Sequence, residues 1–145
     1  MKRNIFAIIF LLLGFNVFSS DFKFIYPGTS LDTAKIKLED VSSILLETED
    51  KCMFGVHYTM NYRYSDYLAV HVILTLSDNT VTKSYYSFNL WDEYEDFSKL
   101  ILDLLKNEEI KPDIMTDEKY EGRGKNGFLY TINVHKEVLS INIEK

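Results

Sequence analysis

Residues 52–62, 67–77 and 80–90 form three successive runs dense in aromatic and β-branched side chains, separated only by short polar breaks. Such runs commit the middle of a chain to an antiparallel meander. In the first, Phe54, Val56, Tyr58, Met60 and Tyr62 share one side, and in the second Leu68, Val70, Val72, Leu74 and Leu76 do. An even register sets these apolar sides together, because a slip of one residue turns a whole strand over. Ser77-Asp78-Asn79-Thr80 supplies the second turn with residues that accept left-handed backbone angles. Tyr86, Phe88 and Leu90 continue the core side on the third strand, against the competing claim of Tyr85.

The flanking segments add helices and a hairpin. Over residues 92–106, Tyr94, Phe97, Leu100, Ile101, Leu104 and Leu105 line one side of a helix, with Glu95, Lys99, Asp103 and Lys106 on the other. Asp92 caps it with Glu95 closing the capping box, and the acidic group Asp92, Glu93, Glu95 and Asp96 suits the positive end of the helix dipole. Upstream, after the Tyr26-Pro27-Gly28-Thr29 turn, Leu31, Ala34, Leu38, Val41 and Leu45 recur at helical spacing behind a Ser30 cap. Ile36 and Leu38 also alternate with Lys35 and Lys37, so residues 30–47 support either a helix or two short strands. Pro112 ends the second helical segment, and Ile114 with Met115 reads as a short strand or a loop. Residues 128–135 and 138–144 alternate and form a terminal hairpin. The expectation is an α+β fold of order α-β-β-β-α-β-β: a single antiparallel sheet of about five strands with one or two helices on one face. No internal repeat, low-complexity tract or interdomain linker is visible.

The first 19 residues read differently. Lys2 and Arg3 precede an apolar run over residues 5–15, Asn16 closes it, and Val17-Phe18-Ser19 offers small residues at the positions a signal peptidase needs. A membrane span needs about 20 apolar residues, and this run is far shorter. Residues 1–19 are therefore expected to be a cleaved signal peptide, with a retained membrane anchor as the alternative, and 20–145 a single exported domain, periplasmic or extracellular, with no span after cleavage. The leader takes two of the 16 basic residues and none of the 22 acidic ones, leaving 14 against 22 and a formal charge of −8. Nucleic acid is a poor partner for such a chain, since its phosphates are bound by clustered Lys and Arg. The single cysteine, Cys52 beside Met53 and Phe54, excludes an internal disulfide and reads as a small buried hydrophobe.

Motifs for chemistry are sparse. Gly122-Arg123-Gly124-Lys125-Asn126-Gly127 matches G-x-G-x-x-G, but that fingerprint works only between a strand and a helix, and a strand follows here. It reads as a locally basic loop. His57 and His71 fall on the odd-numbered sides of neighbouring strands, opposite one another if the register centres on Tyr64, and His135 joins them if the terminal hairpin lies in the same sheet. Imidazoles so gathered suit zinc or copper, yet no motif fixes their spacing. Tyrosines crowd the meander, and Tyr62, Arg63, Tyr64 and Tyr67 form the best candidate recognition patch, since tyrosine combines a rigid ring with a polar tip. No nucleophile with a base and no defined carboxylate pair emerges, so no catalytic residue and no cofactor is nominated. These features point to a non-enzymatic binding module of the cell envelope, an inhibitor or accessory subunit, with a protein or small molecule as partner. An enzyme without a recognisable motif and a structural envelope component are the alternatives.

Overall fold

The computed structural model describes residues 24–40, 42–58, 68–89, 94–135 and 138–145. Two helices and eight strands follow one another as α1 (Leu31–Leu38), β1 (Ser42–Glu47), β2 (Lys51–Tyr58), β3 (Leu68–Ser77), β4 (Thr80–Asn89), α2 (Tyr94–Asn107), β5 (Lys111–Met115), β6 (Lys119–Arg123), β7 (Leu129–His135) and β8 (Val138–Glu144). All strands join one antiparallel sheet in the order β1-β2-β3-β4-β8-β7-β6-β5. The α+β class stands, but the sheet has eight strands rather than about five. The chain therefore runs twice through a helix followed by a four-stranded meander, and the last strands of the two halves meet as β4 and β8. This duplication of architecture leaves no visible repeat in the residues.

The central meander forms as its alternation dictates. Phe54 stands opposite Val72, and Val72 opposite Tyr86, so the apolar even-numbered sides coincide. Asp78 and Asn79 both take left-handed backbone angles, φ 48° and 58°, in the two-residue turn between Ser77 and Thr80. Tyr86 and Phe88 are fully buried, which settles the core side of β4 against Tyr85. Segment 30–47 contains a helix and then a strand. Ser30 Oγ accepts the Thr33 N–H at 3.2 Å, Leu31, Ala34 and Leu38 turn inward, and Ser42 Oγ donates to the Leu38 carbonyl where the helix stops.

The strands absent from the expected order α-β-β-β-α-β-β are β1, β5 and β6, of which β1 and β5 lie where a strand is one of two readings. In β1 the run Ile44-Leu45-Leu46 breaks alternation because a bulge falls between Ile44 and Leu46. In β5 Pro112 argues against a strand, and an edge position beside another bulge is where proline is tolerated. In β6 Tyr120 is the one large apolar side chain. Gly122 lets β5 approach closely, since a Cβ there would meet the Lys111 carbonyl oxygen at 2.5 Å.

One buried cluster unites Leu31, Ala34 and Leu38 of α1, Ile101, Leu102 and Leu104 of α2, and the inward strand residues from Cys52 to Ile143. Contrary to the expected amphipathic split, Asp103 is buried with its neighbours 101, 102 and 104. Four consecutive helical residues cover most of a turn, so α2 is covered there on more than one side. Its cap at Asp92 lies outside the described residues. Residues 24–26 cross the core face, where the Ile25 N–H donates to Tyr86 Oη and Ser84 Oγ donates to the Ile25 carbonyl. Tyr26 stacks on Phe128 at 6.0 Å between ring centroids and donates to Glu108 Oε1 at 2.8 Å.

Two expectations follow. Gly122→Ala forces backbone apart and should lower stability by about 1–3 kcal/mol, read as a fall in the urea midpoint at unchanged slope. Burial first, with the charge of Asp117, pushes the Tyr120 phenol up to about 12. Burial first, with Glu108 nearby, pushes Tyr130 up to about 12, and Tyr26, also hydrogen-bonded to Glu108, is raised as well. Raised folded-state values leave stability intact below the ordinary tyrosine value of about 10 and remove it as pH climbs towards 12. Alkaline titration followed by phenolate absorbance and circular dichroism should show these phenols ionising late, together with loss of fold.

Candidate functional site

The edge strand β1 and the helix before it carry the largest exposed apolar surface among the described residues. Ile36 is 71 % exposed, Leu45 55 %, Ile44 47 % and Leu46 46 %. A cleft of about 310 Å³ lies between α1 and β1, lined by Lys35, Ile36, Glu39, Ser42, Ile44 and Phe54. Ile44 stands opposite Phe54 and so borders the cleft on the helix side of the sheet. The bulge then reverses the strand, placing Leu46 opposite Met53 on the other face. Leu45 overlies Gly55, where an added Cβ would come within 3.3 Å of Leu45 Cδ1. The edge is thus apolar on both faces. Lys35 Nζ meets Glu47 Oε1 at 2.7 Å, and this bond raises the lysine's proton affinity while neutralising the one charge within the strand.

The opposite edge is built differently. Ile114 and Met115 are each 42 % exposed on β5, but Lys111, Pro112 and Asp113 occupy the same five-residue strand. Charge, proline and a bulge are the devices by which edge strands avoid unwanted pairing. Strand β1 carries a bulge alone.

The residues singled out from the sequence are distributed as follows. Tyr62, Arg63, Tyr64 and Tyr67 fall in the connection between β2 and β3, outside the described residues. The register of that pair centres on residue 63 rather than 64, so His57 stands opposite Ala69, and His71 stands opposite Gly55. His71 on β3 and His135 at the end of β7 are both exposed, and β4 and β8 lie between their strands. Three interstrand steps amount to about 14 Å, so these two imidazoles do not share a ligand. Among the described residues no group of three His, Cys, Asp or Glu side chains is placed to hold a metal. Cys52 is fully buried and burial raises its thiol pKa, the state of an inert core residue.

The glycine-rich segment is strand at Gly122 and Arg123 and a tight loop thereafter, leading into β7 rather than a helix. Its polar groups are engaged internally. Lys125 N–H donates to the Glu108 carbonyl at 2.9 Å and Lys125 Nζ to the Asn107 carbonyl at 2.7 Å, at the negative end of α2. Arg123 donates to the Gly127 carbonyl at 2.8 Å, and Asn126 Nδ2 to Tyr130 Oη at 2.8 Å. The loop is a clamp on the second half of the fold.

The β1 surface went unrecognised in the sequence because Leu45 fits a helical stripe. The consecutive apolar residues Ile44-Leu45-Leu46, which no single secondary structure buries on one side, were the available signal. Because this surface is solvated, Ile36→Lys should shift unfolding stability by no more than about 0.5 kcal/mol, whereas Phe54→Ala beneath the cleft should cost about 3–5 kcal/mol; urea titration of both variants measures the contrast.

Comparison of the chain with protein-family models, with curated proteins and with solved structures returns no match.

Proposed function

We propose that this chain is an exported, non-enzymatic binding module of the cell envelope that recognises a protein through the β1 margin. The observation that carries this reading is the two-faced apolar edge of Ile36, Ile44, Leu45 and Leu46, which adds little to folding and leaves exposed surface of the kind used in association. Tyr62, Arg63, Tyr64 and Tyr67 are retained in this proposal as a second recognition element, on the residue chemistry of the sequence. Export rests on the leader's own residues, with Lys2 and Arg3 ahead of the apolar run over residues 5–15 and Val17-Phe18-Ser19 at the expected cut.

Binding is tested by capture from envelope extracts on the immobilised mature domain, with Ile36→Lys/Leu46→Lys and Arg63→Ala/Tyr64→Ala as paired variants. Capture of a protein by the unaltered domain, lost in the first pair and weakened in the second, is expected. Equal capture by all three removes the β1 margin and the tyrosine segment from recognition. Export is tested by N-terminal sequencing of protein recovered from fractionated cells: a start at Ser20 in the envelope fraction is expected, and a full-length chain in the cytosol overturns it.

A further inference from the structure

Resting on the β1 margin as the binding surface, we infer that its occupant is an extended segment of another protein, apolar along its length and basic at its ends, that adds to the sheet as a ninth strand. Strand β1 pairs only with β2, so its outer backbone groups have no strand partner among the described residues. Strand addition at such an edge takes its affinity from main-chain hydrogen bonds and its specificity from alternate side chains. An added strand projects those side chains to both faces. On one face they meet Ile36, Ile44 and the cleft over Phe54, and on the other Leu45 and Leu46. Both halves of the alternation are therefore met by apolar surface, which selects an apolar segment over an amphipathic one.

Charge selects the ends. Residues 31–51 hold six acidic and three basic side chains. Glu39 and Asp40 stand exposed before β1, and Glu49 and Asp50 stand exposed after it. Lys35 is already bound to Glu47, leaving Lys37 and Lys51 against those four carboxylates. A second copy pairing antiparallel through β1 would set Glu39 and Asp40 of one chain beside Glu47, Glu49 and Asp50 of the other, at both ends at once. Like charges across an interface oppose association, and basic ends on the incoming strand relieve them.

The test uses the mature domain and two fluorescent peptides of roughly ten residues, sharing an alternating valine and isoleucine centre and ending in lysines or in glutamates. Binding of the lysine peptide about tenfold or more tightly than the glutamate peptide, weakening with salt, is expected. Hydrogen exchange should slow at the β1 amides on binding, and Leu46→Lys should abolish both effects. Equal affinity for the two peptides, or protection confined to another element, overturns the basic-ended strand even where the capture variants still implicate the margin. Sedimentation showing that the domain alone dimerises, with the dimer lost in Leu46→Lys, overturns it in favour of a second copy. Envelope capture left unchanged by Ile36→Lys/Leu46→Lys, while Leu46→Lys still abolishes peptide binding, instead overturns the broader reading of the margin.

Discussion

The antiparallel pairing of β4 with β8 makes one structure out of two. Each half supplies a helix and four strands, and a one-sided meander with so little helix has too small an interior to exclude water. Joining the last strands, from Lys83 opposite Glu144 to Asn89 opposite Val138, brings Tyr86 and Phe88 beside Ile141 and Leu139 at the middle of a shared core. The strap of residues 24–26 depends on the same seam. Its buried peptide groups at Ile25 are satisfied by the hydroxyls of Tyr86 and Ser84, both on β4, before Tyr26 reaches Glu108 and Phe128 in the second half. A buried backbone group without such a partner carries the full penalty of desolvation.

A sheet that does not close must end in two edges, and here the two ends are guarded unequally. Strand β5 combines proline, charges and a bulge, whereas β1 presents Ile44, Leu45 and Leu46 with its single acid neutralised by Lys35. The open face is mostly half-buried polar residues such as Ser87, Ser140 and Asn142 across the seam. Towards the β1 end it carries Met53 and Ile73, which stand opposite one another. The asymmetry between the edges is what gives the molecule a direction for recognition, and it arises from residues that the core does not need.

Much of the architecture was legible because it follows from neighbouring residues. The strands of the central meander and the terminal hairpin were readable from alternation, the β3–β4 turn from Asp78-Asn79, and the core character of Cys52 from its apolar neighbours. Parity was legible where register was not: alternation requires an even sum of paired positions, but the length of the connection at 59–67 sets which even sum. A shift of the centre from Tyr64 to Arg63 was enough to move His71 from His57 to Gly55. Asp103 failed for a related reason, since its burial depends on what lies against the second side of α2 and not on the helical pattern around it.

By itself, the sequence determined the apolar sides of β2, β3 and β4, the alternation of β7 and β8, the turn at Asp78-Asn79, a helix expected over residues 92–106 and found over Tyr94–Asn107, and, with one cysteine, the lack of an internal disulfide. Each of these is set by periodicity or by the preferences of a few adjacent residues. Only the tertiary structure decided that two meanders share a seam, that β6 is a strand by virtue of lying between β5 and β7, and that Ile44, Leu45 and Leu46 remain at the surface. Apolar residues are buried when a neighbour exists to cover them. Whether β1 has such a neighbour is a property of strand order across the whole sheet, which local sequence does not encode.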